Sequence, residues 1–175
     1  MKKVLLSDYF DIVSSKQDDK INFELSDKNN QKAIPFIGRS SGNNGVVDYV
    51  TPRHTKINDG KVLTIALDGS TGSTFYQHHD FASGQNIWLL IPKKEKISEF
   101  SPIISMFIVT TIKKAVQNYT YNLSLTKTRL IKVKILLPLL KNGNLDISEI
   151  KKIMNKIRNI ESISNISDKR LFGLK

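Results

Sequence analysis

Ala33-Ile34-Pro35-Phe36-Ile37-Gly38-Arg39-Ser40-Ser41-Gly42-Asn43-Asn44-Gly45-Val46-Val47-Asp48-Tyr49-Val50 carries the clearest structural pattern in the chain. Two short apolar runs flank a loop of small polar residues, and Asn44-Gly45 is a strong tight-turn signal. Pro35 suggests an edge strand or a strand start, because proline donates nothing to a ladder. The unit is strand, polar loop, strand.

The same unit recurs on the C-terminal side. Asn58-Asp59-Gly60 turns into Val62 to Leu67, which reads as a well-buried strand. A second glycine-rich loop follows, Asp68-Gly69-Ser70-Thr71-Gly72-Ser73, and then Thr74-Phe75-Tyr76-Gln77. Asn86 to Ile91 is a further strand, stopped by Pro92. On the N-terminal side, Ser7-Asp8 can cap a brief turn before the alternating Phe10 to Val13. Ser14 to Lys20 and Ser26 to Lys32 are polar and turn-like. Strands this short and this close predict a curved, barrel-like or irregular antiparallel assembly.

The C-terminal half brings helices. Ser101 is a fair N-cap, Pro102 suits the first helical position, and Ile103, Phe107 and Thr110-Thr111 recur at helical spacing. Lys113-Lys114 suit the negative end of that helix dipole. Leu130 to Ile135 alternates, which predicts a strand with Ile131, Val133 and Ile135 on one face and Lys132 and Lys134 on the other. Pro138 stops it. After the Lys141 to Asn144 turn, Asp146 or Ser148 caps a second helix with an apolar stripe of Ile150, Ile153, Met154, Ile157 and Ile160. That stripe covers the chain's own core or forms a seam with another chain. The fold class is α+β: an irregular curved antiparallel β-rich domain with one buried helix and a C-terminal amphipathic helix.

Charge is divided along the chain. Residues 1–92 hold ten Lys/Arg and ten Asp/Glu, whereas residues 93–141 hold ten Lys/Arg against Glu95 and Glu99. The whole net charge of +11 therefore arises after residue 92. Clustered cations displace condensed counterions from a polyanion, so this distribution favours nucleic acid; a solvated basic surface is the bland alternative. Lys93, Lys94, Lys96, Lys113, Lys114, Lys127, Arg129, Lys132 and Lys134 are the candidate backbone contacts.

With no cysteine in its 175 residues, the chain has no disulfide framework, thiolate metal site or Cys nucleophile, which fits a reducing cytoplasm. The N-terminus turns polar too soon for a signal-peptide core, and the apolar stretch Ile103 to Val116 is too short to span a bilayer. A soluble, cytoplasmic protein without a membrane partner is expected.

Catalytic chemistry is hard to find. Neighbouring strand residues face opposite ways, so His78-His79 are expected as loop residues or donors to phosphate or base rather than metal ligands. Gly69 to Ser73 lacks the GxxxxGK[ST] pattern, and no GxSxG, GxGxxG or methylase signature accompanies it. No cofactor is expected. The enzyme alternative, a nuclease or methylase in its own right, would use His78 or His79 with Asp68 or Asp80. A protein-interaction adaptor is the third reading. The two polar loops suit base edges and phosphates, since Arg grips guanine bidentately and Asn or Gln adenine; simple tight turns remain open.

In series, Ala33 to Arg39, Asn43 to Val50, Leu63 to Gln77, Phe81 to Ile87, the helix from Pro102, and Ile135 to Pro138 with Asn142-Gly143-Asn144 resemble type I restriction–modification specificity subunits. Some type II systems have similar recognition domains. The resemblance implies a DNA target recognition domain over residues 1–145, and a spacer or dimerisation helix and tail over 146–175. It implies that the chain is non-catalytic and reads double-stranded DNA for a separate methyltransferase subunit and a restriction subunit. Arg39, Ser40, Ser41, Asn43 and Asn44 would face DNA from the first loop. Gly69, Ser70, Thr71, Gly72 and Ser73, with Tyr76, Gln77 and His78, would face it from the second. Lys93, Lys113, Lys127 and Arg129 would flank them. Ile150, Ile153, Met154, Ile157 and Ile160 would meet another helix. A full specificity subunit carries two such domains, so the chain is expected as a half-size subunit that pairs with itself, a fragment, or a detachable reader.

Overall fold

The computed structural model describes residues 1–52, 56–119 and 123–157. Strand β1 (Lys2–Leu5) runs into a single helical turn, α1 (Leu6–Tyr9), then β2 (Phe10–Ser14). The short β3 (Glu24–Leu25) precedes β4 (Ile34–Ile37) and β5 (Val46–Thr51). Next come β6 (Val62–Ala66), β7 (Thr74–Gln77), β8 (Ala82–Ser83) and β9 (Ile87–Pro92). Helix α2 (Pro102–Val116), the short α3 (Lys127–Ile131), β10 (Lys134–Leu137) and α4 (Ile147–Met154) complete the order.

Three sheets result. The first is antiparallel in the order β2-β9-β6-β7, the second runs β3-β5-β4-β8, and β1 pairs with β10. The α+β, largely antiparallel architecture matches the expectation, with one exception: β4 and β8 are parallel. Pro35 is also not on an edge, since β4 lies between β5 and β8. It is tolerated because β8 pairs only with Phe36 and Ile37, leaving that side of the strand open at Pro35.

The main core forms where α2 crosses β7, β10 and α4. Ile104, Phe107, Ile108, Ile112 and Val116 recur along one face of α2 and are buried against Leu63, Ile65, Leu90 and Leu130. Each such side chain contributes about 1.5–3 kcal/mol by leaving water. A second cluster, Ile37, Val62, Ala66, Phe81, Ile87 and Leu89, fills the space between the two four-stranded sheets. Buried polar groups there are paired, as burial requires. Asn58 Nδ2 donates to Ser83 Oγ at 3.1 Å, Ser83 Oγ to Ser15 Oγ at 2.9 Å, and Ser15 Oγ to the Ile87 carbonyl at 2.8 Å.

Two sequence expectations need correction. The strand expected over Leu130 to Ile135 begins as α3, because the Thr126 side chain accepts from Arg129 N and caps a turn that buries Leu130. Alternation starts only at Val133, and Ile131, expected inward, is 37% exposed. Ser101 does precede α2, but its side chain makes no capping hydrogen bond; Pro102 at the helix start is the operative signal. Asp146 does cap α4, its Oδ1 accepting from Glu149 N at 2.9 Å.

Candidate nucleic-acid interface

The two glycine-rich loops are far apart in sequence and touch in space. The loop of residues 38–45 joins β4 to β5, and the loop of residues 67–73 joins β6 to β7. Ser70 N donates to the Arg39 carbonyl at 3.2 Å, and Arg39 Nη1 donates to Asp68 Oδ2 at 2.9 Å. Gly69 has φ +63, and a Cβ there would lie 3.0 Å from Arg39 Cβ. Only glycine lets the loops approach this closely in that conformation.

The basic flank reaches the same end. Gly72 (φ +79) lies against the last turn of α2, where a Cβ would sit 2.7 Å from Val116 Cγ2. One turn earlier on α2, Lys113 Nζ lies 4.8 Å from the centre of the Phe75 ring. Lys127 of α3 stands 5.2 Å from the Trp88 ring centre. A groove of about 480 Å³ runs between the Asn43-Asn44 turn and α2, with Phe75, Met106, Thr110 and Lys113 on its walls. Trp88 points to the opposite face of the sheet from Phe75, so Lys127 stands apart, while the loop donors, the Phe75 ring and the Lys113 ammonium share one surface beside the groove. Such a surface can take a polyanion and present donors to it.

Individual residues divide. Arg39, Ser41 and Asn43 are exposed, Ser40, Ser70, Thr71 and Ser73 are half-buried, and Gly69 is exposed. Lys113, Lys127 and Arg129 are exposed, and Arg129 also donates to the Ser124 carbonyl. Gly72 is buried under α2.

Other expected contacts are corrected by their surroundings. Gln77 is 3% exposed and Tyr76 is buried, so neither side chain faces a ligand. Gln77 Nε2 donates to Thr64 Oγ1 at 3.0 Å and to the Asn44 carbonyl at 3.1 Å. Asn44 sits at φ 54, and its Nδ2 donates to the Tyr76 carbonyl at 3.0 Å. That contact covers the open edge of β7, so the amide is used in the fold. Lys93 Nζ donates to the Ser7 carbonyl at 2.8 Å and lies 3.7 Å from Asp11 Oδ1. It is at the far end of β9 from the loops, roughly 20 Å along the strand.

His78 and His79 were expected on opposite faces, but β7 ends at Gln77 and their rings meet edge to face at 4.5 Å. His78 also lies edge-on to Tyr76, with Nδ1 3.4 Å from the Tyr76 hydroxyl. Among the described residues, no three His, Cys, Asp or Glu side chains form a metal-binding group.

On α4, Ile150 and Met154 are buried in the chain's own core against α2. A seam with another helix therefore does not include them. Ile153 is half-buried and Ile157 is 49% exposed; Ile160 lies outside the described residues. The sequence reading left Asp68, Met106 and Thr110 out of the DNA-facing set. Asp68 carried a signal, being the one acid in a loop of glycines and hydroxyls.

The type I restriction modification DNA specificity domain family matches residues 1–167. A curated relative, the type II restriction enzyme specificity subunit S.BcgI of Heyndrickxia coagulans, is 28% identical over 172 residues, which is 95% of this chain and 48% of that protein. The chain thus spans about half the length of the curated relative it matches. The solved HsdS subunit from Thermoanaerobacter tengcongensis superposes with a TM-score of 0.56 at 16% identity, over 93% of this chain and 39% of that one. The type I restriction-modification S subunit from M. genitalium gives 0.53 at 16% identity, over 77% and 33%. At such identities the two structures bear on the fold, and they share it.

Proposed function

Because the chain belongs to the type I restriction modification DNA specificity domain family, we propose that it reads a DNA sequence for a restriction–modification complex. In this reading the chain itself is non-catalytic. A separate methyltransferase, and a nuclease where the system has one, act at the site it selects. The observation that carries the reading is the junction of the two loops at Ser70 N and the Arg39 carbonyl, with Lys113 across the adjoining groove from the Asn43-Asn44 turn.

Division of labour follows from the chemistry. Lys113 and Lys127 supply phosphate contacts that fix register, while Arg39 and Ser41 supply donors to base edges; the Asn43 amide donates to the Val46 carbonyl at 3.0 Å. We assign residues 1–145 to recognition and the segment from residue 146 to assembly. Ile153 on α4 and Ile157 just after it are the apolar side chains that support docking of another helix. Should two copies pair through that segment, the site they read is symmetric and interrupted, because two-fold protein symmetry is imposed on the duplex. The setting is the cytoplasm, where chromosomal and invading DNA are both accessible; among the described residues no helix is long and apolar enough to cross a membrane.

The test is to map methylated bases in cells carrying this gene with its neighbouring methyltransferase. A single sequence motif that disappears when this chain is deleted supports the reading. Its spacing and symmetry also decide between one copy and two, and between a type I and a type II organisation. Unchanged methylation after deletion, together with no salt-dependent affinity of the purified chain for duplex DNA, overturns it.

A further inference from the structure

Arg39 is held from three directions by the other loop. Its carbonyl accepts from Ser70 N at 3.2 Å, its Cβ faces Gly69, and its Nη1 donates to Asp68 Oδ2 at 2.9 Å. Asp68 is fixed in turn: Asn86 Nδ2 donates to the same Oδ2 at 2.7 Å, and Asn86 N donates to Gln17 Oε1 at 2.8 Å. Asn86 is itself left-handed, at φ 60. The chain Gln17, Asn86, Asp68, Arg39 runs from the segment after β2 and the one before β9 to the β6–β7 and β4–β5 hairpin loops.

Two details separate this arrangement from an ordinary surface ion pair. Asp68 Oδ1 is enclosed and has no hydrogen-bond partner among the described residues, although the side chain as a whole is 45% exposed. Arg39 remains 48% exposed, and its Nε and Nη2 carry no partner among the described residues. One corner of the guanidinium is anchored and its other donors are offered to solvent.

We propose that Asp68 is a positioning residue for sequence recognition, holding Arg39 so that its remaining fork reads the N7 and O6 acceptors of a guanine. This rests on the DNA-reading function above. Guanine in the major groove offers the acceptor pair that a planar fork fits. A phosphate offers similar acceptors, but a carboxylate 2.9 Å from the guanidinium repels an anion and tolerates a neutral base. The groove of about 450 Å³ beside Arg39 is walled by Asp18, Asp19 and Lys20, so its lining adds no net attraction for phosphate.

The experiment selects a motif from a random duplex library with the purified full chain. Each guanine of that motif is then replaced in turn by 7-deazaguanine, which lacks N7. For the unmodified chain, affinity falls about tenfold at one guanine. Arg39→Ala and Arg39→Lys both lose preference at that base pair and show no further loss on 7-deazaguanine. Asp68→Asn loses about tenfold in preference there, while its affinity for random duplex rises because a negative charge has left the interface. A merely structural Asp68 would lower both affinities together. Arg39→Lys keeps the charge and the packing of the stem, so it tests the fork even where Asp68→Asn fails to fold.

The proposal is overturned if Arg39→Ala weakens all duplexes alike and flattens the salt dependence by about one unit, the signature of a phosphate contact. It is equally overturned if Asp68→Asn leaves the motif unchanged. Failure of the underlying reading looks different: the unmodified chain then enriches no motif and shows no salt-dependent binding.

Discussion

Asn44 and Gln77 hold each other across the two hairpins: Gln77 Nε2 donates to the Asn44 carbonyl at 3.1 Å, and Asn44 Nδ2 reaches Gln77 Oε1 at 3.4 Å. The same Asn44 amide satisfies the Tyr76 carbonyl on the exposed edge of β7. Residue type alone made both amides candidates to read adenine; position makes them the clasp between the loops. Gln77→Leu leaves the Asn44 carbonyl and Thr64 Oγ1 without their donor, and is expected to lower stability by about 1–3 kcal/mol in urea melts. Asn44→Gly keeps the left-handed backbone but loses the amide, so it should fall between Asn44→Ala and the unmodified chain.

Gly72 has no room for a side chain. Its φ of +79 and the 2.7 Å approach of Val116 Cγ2 predict that Gly72→Ala destabilises by more than about 1 kcal/mol. Val116→Ala removes the clashing methyls and leaves the backbone strain. The double variant should therefore be more stable than the two single losses sum to, as a double-mutant cycle would measure.

Phosphate contacts are separable from the rest by salt. Lys113→Gln and Lys127→Gln should each reduce the slope of log affinity against log salt by about one unit, with the motif unchanged. Lys93→Gln should leave that slope alone, because Lys93 is committed to the Ser7 carbonyl away from the loops. An equal effect at Lys93 would show that the basic surface extends along the whole of β9.

Acid should loosen the join between α4 and the segment before α2. Lys151 Nζ donates to Glu99 Oε2 at 2.7 Å, and that hydrogen bond is the main cause holding the Glu99 carboxyl below its ordinary value. A carboxylate depressed in the folded state stabilises above its unfolded value, and the gain disappears as pH falls through the folded one. Both side chains are more than a third exposed, so the contribution is at most about 1 kcal/mol. Glu99→Gln should be less stable by that amount at neutral pH and indistinguishable at the acid end of the range, read from urea midpoints across pH.

The apolar stripe of α4 and the turn that follows it should separate by burial. Ile150 is fully buried, and Ile150→Ala is expected to cost about 2–5 kcal/mol. Ile157 is exposed, and Ile157→Ser should change stability by less than about 0.5 kcal/mol. Sedimentation of the Ile157 variant then reads association without the confusion of unfolding.

Much of the molecule was legible in one dimension. Alternation over Phe10 to Val13 and Val46 to Val50, the apolar run from Val62, and Pro102 at a helix start each express local rules, and β2, β5, β6 and α2 follow them. The family resemblance was carried by the same blocks. Where local signals were mixed, reading failed: Leu130 to Ile135 alternates like a strand, yet a Thr126 cap and the burial of Leu130 turn its first residues into a helix. Charge by itself did not distinguish Lys93 from Lys113, because a lysine's partners lie on other elements.

Local signals in the sequence were enough for most strands and the long helix, for a basic second half, and for two loops of small, flexible, polar residues; these follow from side-chain period, ionisation and backbone freedom. Only the folded chain decided that the loops meet at Arg39 and Ser70, that Asn44 and Gln77 face inward, and that Asp68 grips an arginine 29 residues away. Those relations depend on strand order and register, which the packing of α2 and the inter-sheet core selects globally. No window of sequence contains both partners of such a contact, so its geometry exists only once the sheets have closed.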